Sequence, residues 1–243
     1  MRAILLAAGY ATRLHPLTLD RPKALLPVGN RTILDRLVDA LEHAGIDEVR
    51  LVTNHRFAPA FEEWRIACAR KLRVHISDDG TQTNETRLGA VADLALAVEE
   101  SGTDRAALVA AADNIFAFDL GSFVEFFGRI RTDCITAHRE TDHARLSRTG
   151  VAELDGAWRV TAFSEKPLQP RSTWACPPLY ILRRHTLPLV AEYLRDPAHD
   201  RDAPGHFIRW LVERRPVHAF LFEGQRYAIG DVESYERVCR LFS

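Results

Sequence analysis

Two periods alternate along the chain: short apolar runs of strand length, and longer stretches with apolar residues three and four apart. The run Ala3 to Leu6 has the unbroken apolar character of a strand buried on both faces. Small residues follow it, Ala7, Ala8, Gly9 and Ala11, and then Arg13. Beyond Asn30, the residues Ile33, Leu34, Leu37, Val38 and Leu41 recur at helical spacing, and Gly45 ends that helix. Glu48 to Thr53 predicts a strand, Phe57 to Lys71 a helix, and Arg73 to Ile76 a strand. Asp78, Asp79 and Gly80 open a polar loop that lasts to Arg87, and Leu88 to Glu99 predicts a helix. Ala106 to Ala112 is wholly apolar and predicts a central strand, which ends in Asp113 and Asn114. Leu120 to Phe127 predicts a helix and Cys134 to His138 a strand. Gly150 to Leu154 and Trp158 to Phe163 predict a hairpin turning at Asp155 and Gly156. Trp174 to Leu182 predicts one strand, Leu187 to Leu194 a helix, Asp202 to Gly205 a turn, and Phe207 to Glu213 a helix. Val217 to Phe222 and Tyr227 to Ile229 predict strands, and Val232 to Leu241 a closing helix capped by Asp231.

Strands alternating with helices imply an α/β fold of three layers, Rossmann-like, around a mixed, mostly parallel sheet. No internal repeat, low-complexity segment or linker divides the chain. Its 243 residues suffice for a sizeable core and are expected to form a single domain, 1–243. The net charge of −1 implies no polyanion-binding surface, so nucleic acid is not an expected partner. Cys68, Cys134, Cys176 and Cys239 are widely spaced, make no Cys/His metal pattern, and read as thiols of a reducing compartment. No run is long enough to span a bilayer, and the N-terminus lacks an extended apolar segment. The protein is therefore expected in the cytoplasm, with no membrane partner.

A strand, a tight small-residue loop, cations at Arg13 and Lys23, and then a helix make the arrangement that holds a polyphosphate. The small residues would let backbone amides approach a ligand closely. A generic strand-to-helix turn with two solvated cations explains the loop equally simply, but not the prolines Pro22 and Pro27 flanking Lys23. Asp113 stands at the tip of a central strand, where a carboxylate is costly unless it meets a cation. It fits either a divalent metal or the cap of the next turn. His55 and Arg56 fit a ligand crevice or an ordinary loop. The segment His138 to His143 has the wrong spacing for zinc and reads as a solvated loop. Glu165 and Lys166, pinned by Pro167, fit a surface ion pair or a ligand contact.

The strings AAGYATRLHPLT and RPKALLPVGN resemble the signature of the sugar-1-phosphate nucleotidyltransferases, G-x-G-T-R-L-x-P-L-T followed by P-K-x-L-L-P-V. The resemblance covers essentially the whole chain, and its specific motifs fall at residues 3–30, 84–90, 113, 150 and 165–167. It implies the nucleotide-diphospho-sugar transferase type of fold. It also implies a reaction of an NTP with a sugar or cyclitol 1-phosphate, giving an NDP-sugar and pyrophosphate with Mg²⁺ as cofactor. By motif position, Arg13 would act on the α-phosphate and the leaving pyrophosphate, Lys23 on the reacting phosphates, and Asp113 on the metal. Ala7, Ala8 and Gly9 would line base and ribose, and Asn84 and Gly89 would contact the base. Gly150 would lie against the sugar, Glu165 would bind its hydroxyls, and Lys166 its phosphate. A homo-oligomer is compatible with the sequence but not specified by it.

Three departures from the pattern stand out. Ala11 replaces the second glycine, so the loop is expected to be slightly re-shaped. Asn84 stands where relatives often carry Gln, which leaves the base open. Ala228 fills the slot of the second metal carboxylate in W-x-D-x-G, here Arg226-Tyr227-Ala228-Ile229-Gly230, while Asp231 reads as a helix cap. With one carboxylate gone, three outcomes are open: Asp231 swings in through a changed turn, the metal is held by Asp113 and the nucleotide alone, or catalysis falls. The alternative to an enzyme is then a paralogue that binds nucleotide or NDP-sugar as a sensor or regulatory module.

Overall fold

The computed structural model describes residues 1–68, 70–224 and 226–242. β1 (Arg2–Leu6) runs into a loop with two 3₁₀ turns, Thr12–Leu14 and Lys23–Leu25, and then a small hairpin of β2 (Pro27–Val28) and β3 (Arg31–Thr32). α1 (Ile33–His43), β4 (Glu48–Thr53), α2 (Ala58–Ala67), β5 (Arg73–Asp78), α3 (Ala90–Ser101) and β6 (Ala107–Ala111) complete the first half. β7 (Asn114–Phe116), α4 (Leu120–Ile130), β8 (Asp133–Arg139), α5 (His143–Leu146), β9 (Gly150–Leu154) and β10 (Val160–Glu165) follow. The chain ends with β11 (Trp174–Cys176), β12 (Leu179–Leu182), α6 (Pro188–Leu194), α7 (Pro204–Val212), β13 (Val217–Leu221), β14 (Arg226–Ala228) and α8 (Val232–Leu241).

The main sheet has the order β10-β9-β11-β8-β12-β6-β1-β4-β5, and β13 joins it beside β8. β6, β1, β4 and β5 are parallel, whereas β12 runs antiparallel to both β6 and β8. The sheet is thus mixed, as expected from the sequence. Its two faces carry separate cores because side chains alternate along each strand. Ala3, Leu5, Leu51 and Leu108 face a cluster with Leu34, Leu37, Phe61 and Phe123 of α1, α2 and α4. Ile4, Val52 and Val109 face the opposite cluster, with Val91, Leu94, Val190, Phe207 and Leu211 of α3, α6 and α7. β1 is buried on both faces, which is why its sequence is continuously apolar.

Local chemistry sets the ends of these elements. Thr32 and Asp35 form a reciprocal capping box on α1, and Asp231 caps α8 by accepting a 2.9 Å hydrogen bond from the Ser234 amide. α2 is shorter than the predicted Phe57–Lys71, ending at Ala67. The single strand expected over Trp174–Leu182 is two strands. Pro177 and Pro178 supply no amide hydrogens to a ladder, so the chain leaves β9 and β8 after Cys176 and rejoins the sheet between β6 and β8 at Leu179. The turn expected at Asp202–Gly205 already contains the start of α7, because Pro204 suits a first helical position.

A second small sheet pairs β14 antiparallel with β7, so the C-terminal segment lies against the tip of β6. There Ile229 and Val238 pack with Leu14, Leu26, Val28 and Ile33. The Tyr235 hydroxyl donates to the Pro27 carbonyl at 2.7 Å. The end of the chain therefore clamps the glycine-alanine loop from behind.

Candidate active site

The parallel strands β1 and β6 end side by side, and the loops leaving them line a cleft of about 1330 Å³. The Ala7 amide continues the ladder to Val52 at 2.8 Å, and the Ala112 amide bonds Leu6 at 3.0 Å. Buried Asn54 holds the loop between them: its amide donates to the Ala8 carbonyl at 2.9 Å and its Oδ1 accepts from the Phe57 amide at 3.0 Å. Ala11 takes the left-handed conformation, φ 48° and ψ 41°, that a glycine would take there. Alanine carries a steric cost of about 1–2 kcal/mol in this conformation. Its carbonyl accepts from the Leu14 amide and the Thr18 hydroxyl, both at 2.9 Å, which holds the turn closed. Ala7, Gly9 and Arg13 line the cleft, while Ala8 is buried behind it.

Lys23 reaches into the same cleft from its 3₁₀ turn. Its Nζ lies 2.6 Å from Asp113 Oδ2, and Asn114 Nδ2 donates to Asp113 Oδ1 at 2.8 Å. Arg226 Nε donates to Asn114 Oδ1 at 2.8 Å, so Lys23, Asp113, Asn114 and Arg226 form one chain of polar contacts. Burial works to raise the Asp113 pKa, but the charge and hydrogen bond of Lys23, helped by the charge of Arg226, outweigh it and hold the carboxyl below its ordinary range. Burial in turn lowers the Arg226 pKa, while Asp113, Tyr180 and Glu165 act to raise it.

The opposite wall comes from β9, β10 and the start of α7. Gly150, Glu165 and Lys166 line it together with His138. A Cβ on Gly150 would strike the Phe163 ring, and one on Gly205 would strike the Glu165 carboxylate. Glycine is thus required for Glu165 to lie where it does. Burial raises the Glu165 pKa, with Lys166 and Arg226 acting the other way. Lys166 has φ 46°, a strained value for a lysine, and its Nζ stands 3.8 Å from Glu165 Oε1. Burial and the Arg226 charge depress the His138 pKa, which favours a neutral ring.

Asn84 and Arg87 line the far end of the cleft. Arg87 bridges to Asp202 at 3.0 Å, which ties the loop before α3 to the loop before α7. Gly89 stands at the N-cap of α3 with φ 92°, and a Cβ there would meet the Arg201 carbonyl. Its need for glycine is explained by that approach. His55 pairs with Asp78 at 2.6 Å, and Arg56 donates to the Leu19 carbonyl at 2.6 Å, so both serve the loop reading.

The acidic side chains suit a resident divalent metal poorly. Among the described residues no three His, Cys, Asp or Glu side chains are grouped to hold one, in the segment His138–His143 or elsewhere. Asp113 has each oxygen engaged by a nitrogen donor, Ala228 brings only a methyl group, and Asp231 caps α8. A guanidinium in the same group would oppose a second cation.

The profile of the Nucleotidyl transferase family matches residues 2–241. The chain belongs to that family. It is 35% identical over 185 residues to the glucose-1-phosphate thymidylyltransferase of Mycolicibacterium smegmatis, a match covering 74% of this chain and 60% of the relative. It is 27% identical over 239 residues to the UTP–glucose-1-phosphate uridylyltransferase AglF of Haloferax volcanii, covering 95% of this chain and 91% of that one. The crystal structure of UDP-glucose pyrophosphorylase complexed with UDP-glucose superposes with a TM-score of 0.85 at 20% identity, over 100% of this chain and 98% of that one. That likeness fixes the three-layer α/β fold. The chain thus spans about 60% of the length of the thymidylyltransferase it resembles. Members of the family generally use a divalent metal.

Four residues of this nucleotidyl transferase site receive no role from the sequence motifs. Asn54 was visible as a polar residue just past a strand, which is where α/β sheets face their ligands. Tyr10, whose hydroxyl lies 3.3 Å from Thr81 Oγ1, sits inside the motif as an unassigned position. Gly205 carries no local signal and Arg226 shows only as a position in the altered W-x-D-x-G stretch, because what they touch is distant in sequence.

Proposed function

We propose that the chain is a sugar-1-phosphate nucleotidyltransferase, one domain over residues 1–243, acting in the cytoplasm. No helix of the described residues is long and apolar enough to cross a membrane. The substrates are an NTP, entering as its Mg²⁺ complex, and a hexose or cyclitol 1-phosphate. Nucleic acid has no part in the reaction. A phosphate oxygen of the acceptor attacks the α-phosphorus in line, the bond from that phosphorus to the bridging oxygen breaks, and pyrophosphate leaves. The nucleophile is already an anion, so no general base is needed, and positioning with charge neutralisation carries the step.

The observation that supports this reading best is the arrangement of cations in one cleft. Arg13 and Lys23 lie on the loop side, and Lys166 with Glu165 lies on the opposite wall. Arg13 draws the α-phosphate and leaving pyrophosphate, and Lys23 the phosphates at the reacting centre. Lys166 holds the acceptor phosphate and Glu165 its ring hydroxyls, with Gly150 against the ring. Ala7, Ala8 and Gly9 shape the base and ribose pocket, and Asn84 with Gly89 borders the base. Asp113 orients Lys23. The named relatives are enzymes, and no observation favours the regulatory module.

Pyrophosphate release over a grid of NTPs and of sugar and cyclitol 1-phosphates tests the proposal. One strong pair is expected, and it would name base and acceptor together. Silence across the grid, with nucleotide binding retained, would overturn it.

A further inference from the structure

The arrangement around Asp113 carries a second conclusion, which rests on the reaction proposed above. We infer that Arg226 is a built-in counter-charge for the reacting phosphates, standing in for a divalent metal held by the protein, so that the chain uses only the ion its triphosphate brings.

Three observations lead there. First, Asp113 is spoken for: Lys23 Nζ takes Oδ2 at 2.6 Å and Asn114 Nδ2 takes Oδ1 at 2.8 Å. Secondly, the neighbouring strand offers no ligand. Ala228 pairs with Asn114 across the ladder of β14 and β7, beside Asp113, and brings a methyl group where a carboxylate would complete a metal site. Thirdly, Arg226 lines the cleft with its Nε fixed on Asn114 Oδ1 at 2.8 Å. Its two terminal nitrogens make no hydrogen bond to the described residues and are not sealed from solvent. A guanidinium held at Nε, with its two outer nitrogens unbonded, is set to receive phosphate oxygens as a fork.

Charge favours the same conclusion. Against the W-x-D-x-G pattern, Arg226 adds one positive charge and Ala228 removes one negative charge. The two changes together equal the charge of one divalent ion. A metal resident beside Asp113 would also have to lie close to both Lys23 and Arg226, and the repulsion is strong in a partly dry cleft. The guanidinium and a protein-held ion are therefore alternatives at this position.

The purely structural reading is that Arg226 only straps β14 to β7 through Asn114. The experiment must separate the two. Mn²⁺ alone is titrated into the nucleotide-free protein and followed by electron paramagnetic resonance. Inorganic pyrophosphate is titrated calorimetrically in the absence of metal. Both are run on the wild type, Arg226→Ala, Arg226→Lys and the double variant Arg226→Trp/Ala228→Asp, with melting curves to show that each is folded. The wild type is expected to show no saturable Mn²⁺ site and to bind pyrophosphate without metal. Arg226→Ala should weaken that binding about 10- to 100-fold, the range for charged hydrogen bonds. Arg226→Lys, which keeps the charge but not the fork, should recover part of it. The double variant should gain a single Mn²⁺ site.

A one-to-one Mn²⁺ site in the wild type that disappears in Asp113→Asn would overturn the inference. So would an Arg226→Ala protein that is folded and binds pyrophosphate as the wild type does. These titrations need no turnover. If the substrate grid is silent the proposed reaction falls, and the titrations still decide the role of Arg226.

Discussion

Lys23 Nζ and Asp113 Oδ2 are 2.6 Å apart, joining residues 90 positions apart in sequence. The Lys23 side chain is mostly buried, whereas Asp113 keeps 38% of its side-chain surface open to the cleft. The carboxylate is thus the more open partner, and it fixes the ammonium of Lys23 at the edge of the cleft from one side. Lys23→Met would leave Asp113 without its nearest cation and remove a charge from the reacting centre. The expected outcome is a fall in kcat of about 10²- to 10³-fold, the usual cost of losing one stabilising donor. Asp113→Asn keeps the shape and frees the lysine, so its loss should be smaller. Steady-state pyrophosphate release on both variants checks the ranking.

The Asp113 depression also fixes a sign. A carboxyl whose folded pKa lies below its unfolded value stabilises the fold at pH values above the unfolded pKa, and loses that contribution as the pH falls through the folded one. Asp113 therefore cannot be the group behind any loss of activity between pH 5 and 7. An acid limb in that window that vanishes in Asp113→Asn would contradict the assignment.

Lys166 and Glu165 are expected to separate the two substrates. Both lie on the wall formed by β9 and β10, away from the loop that carries Arg13. Lys166→Ala should raise KM for the acceptor phosphate about tenfold or more, as expected for a lost charged hydrogen bond, and leave KM for the NTP nearly unchanged. Equal effects on both substrates would remove Lys166 from the acceptor subsite.

Gly205 is the residue whose replacement should reveal how Glu165 is held. A Cβ there would occupy the space of the Glu165 carboxylate and come 3.1 Å from the Phe163 ring. Gly205→Ala should cost about 1–3 kcal/mol of stability by overpacking and raise KM for the acceptor. Removing the obstruction in Gly205→Ala/Glu165→Ala should return most of the stability but not the acceptor affinity. A double-mutant cycle on melting temperatures measures that coupling. Additive effects would mean that the two groups do not meet.

Much of this was legible in the sequence, for identifiable reasons. β4, β9 and α8 fall where the apolar pattern puts them, because each is bounded by turn or capping residues and has one clear period. The site residues on the loop after β1 were legible because a phosphate loop is a local object. β2, β3 and β7 were not, since two or three residues show no period. Nor was the break at Pro177, where two prolines interrupt an otherwise apolar run that reads as one strand. Arg226 was read only as part of a motif with a missing carboxylate. Its partners, Asn114 and the charges of Asp113 and Glu165, come from elements far along the chain, and no local pattern announces them.

Asp79 and Asp93 carry the clearest pH dependence. Asp93 lies on the buried face of α3, and its Oδ1 and the Asp79 Oδ2 are both buried without a donor from elsewhere. Asp79 Oδ1 accepts from the Thr81 amide and hydroxyl, at 2.7 and 2.8 Å, and Thr81 touches Tyr10 at the cleft. Burial and the neighbouring Asp79 push Asp93 up to about 7, so the two carboxyls share a proton at moderate acidity. An unfolded aspartate titrates near about 3.9. Between that value and about 7 the folded chain holds a proton the unfolded chain has released, so this pair destabilises the fold progressively as pH rises through the window. Asp93→Asn supplies a permanent donor to Asp79 and removes the slope. The variant should melt above the wild type at pH 8, by about 2–4 °C for each kcal/mol relieved, and the gap should close towards pH 5. Scanning calorimetry at both pH values checks this. A gap of the same size at pH 5 and pH 8 would show that Asp93 is not the titrating group.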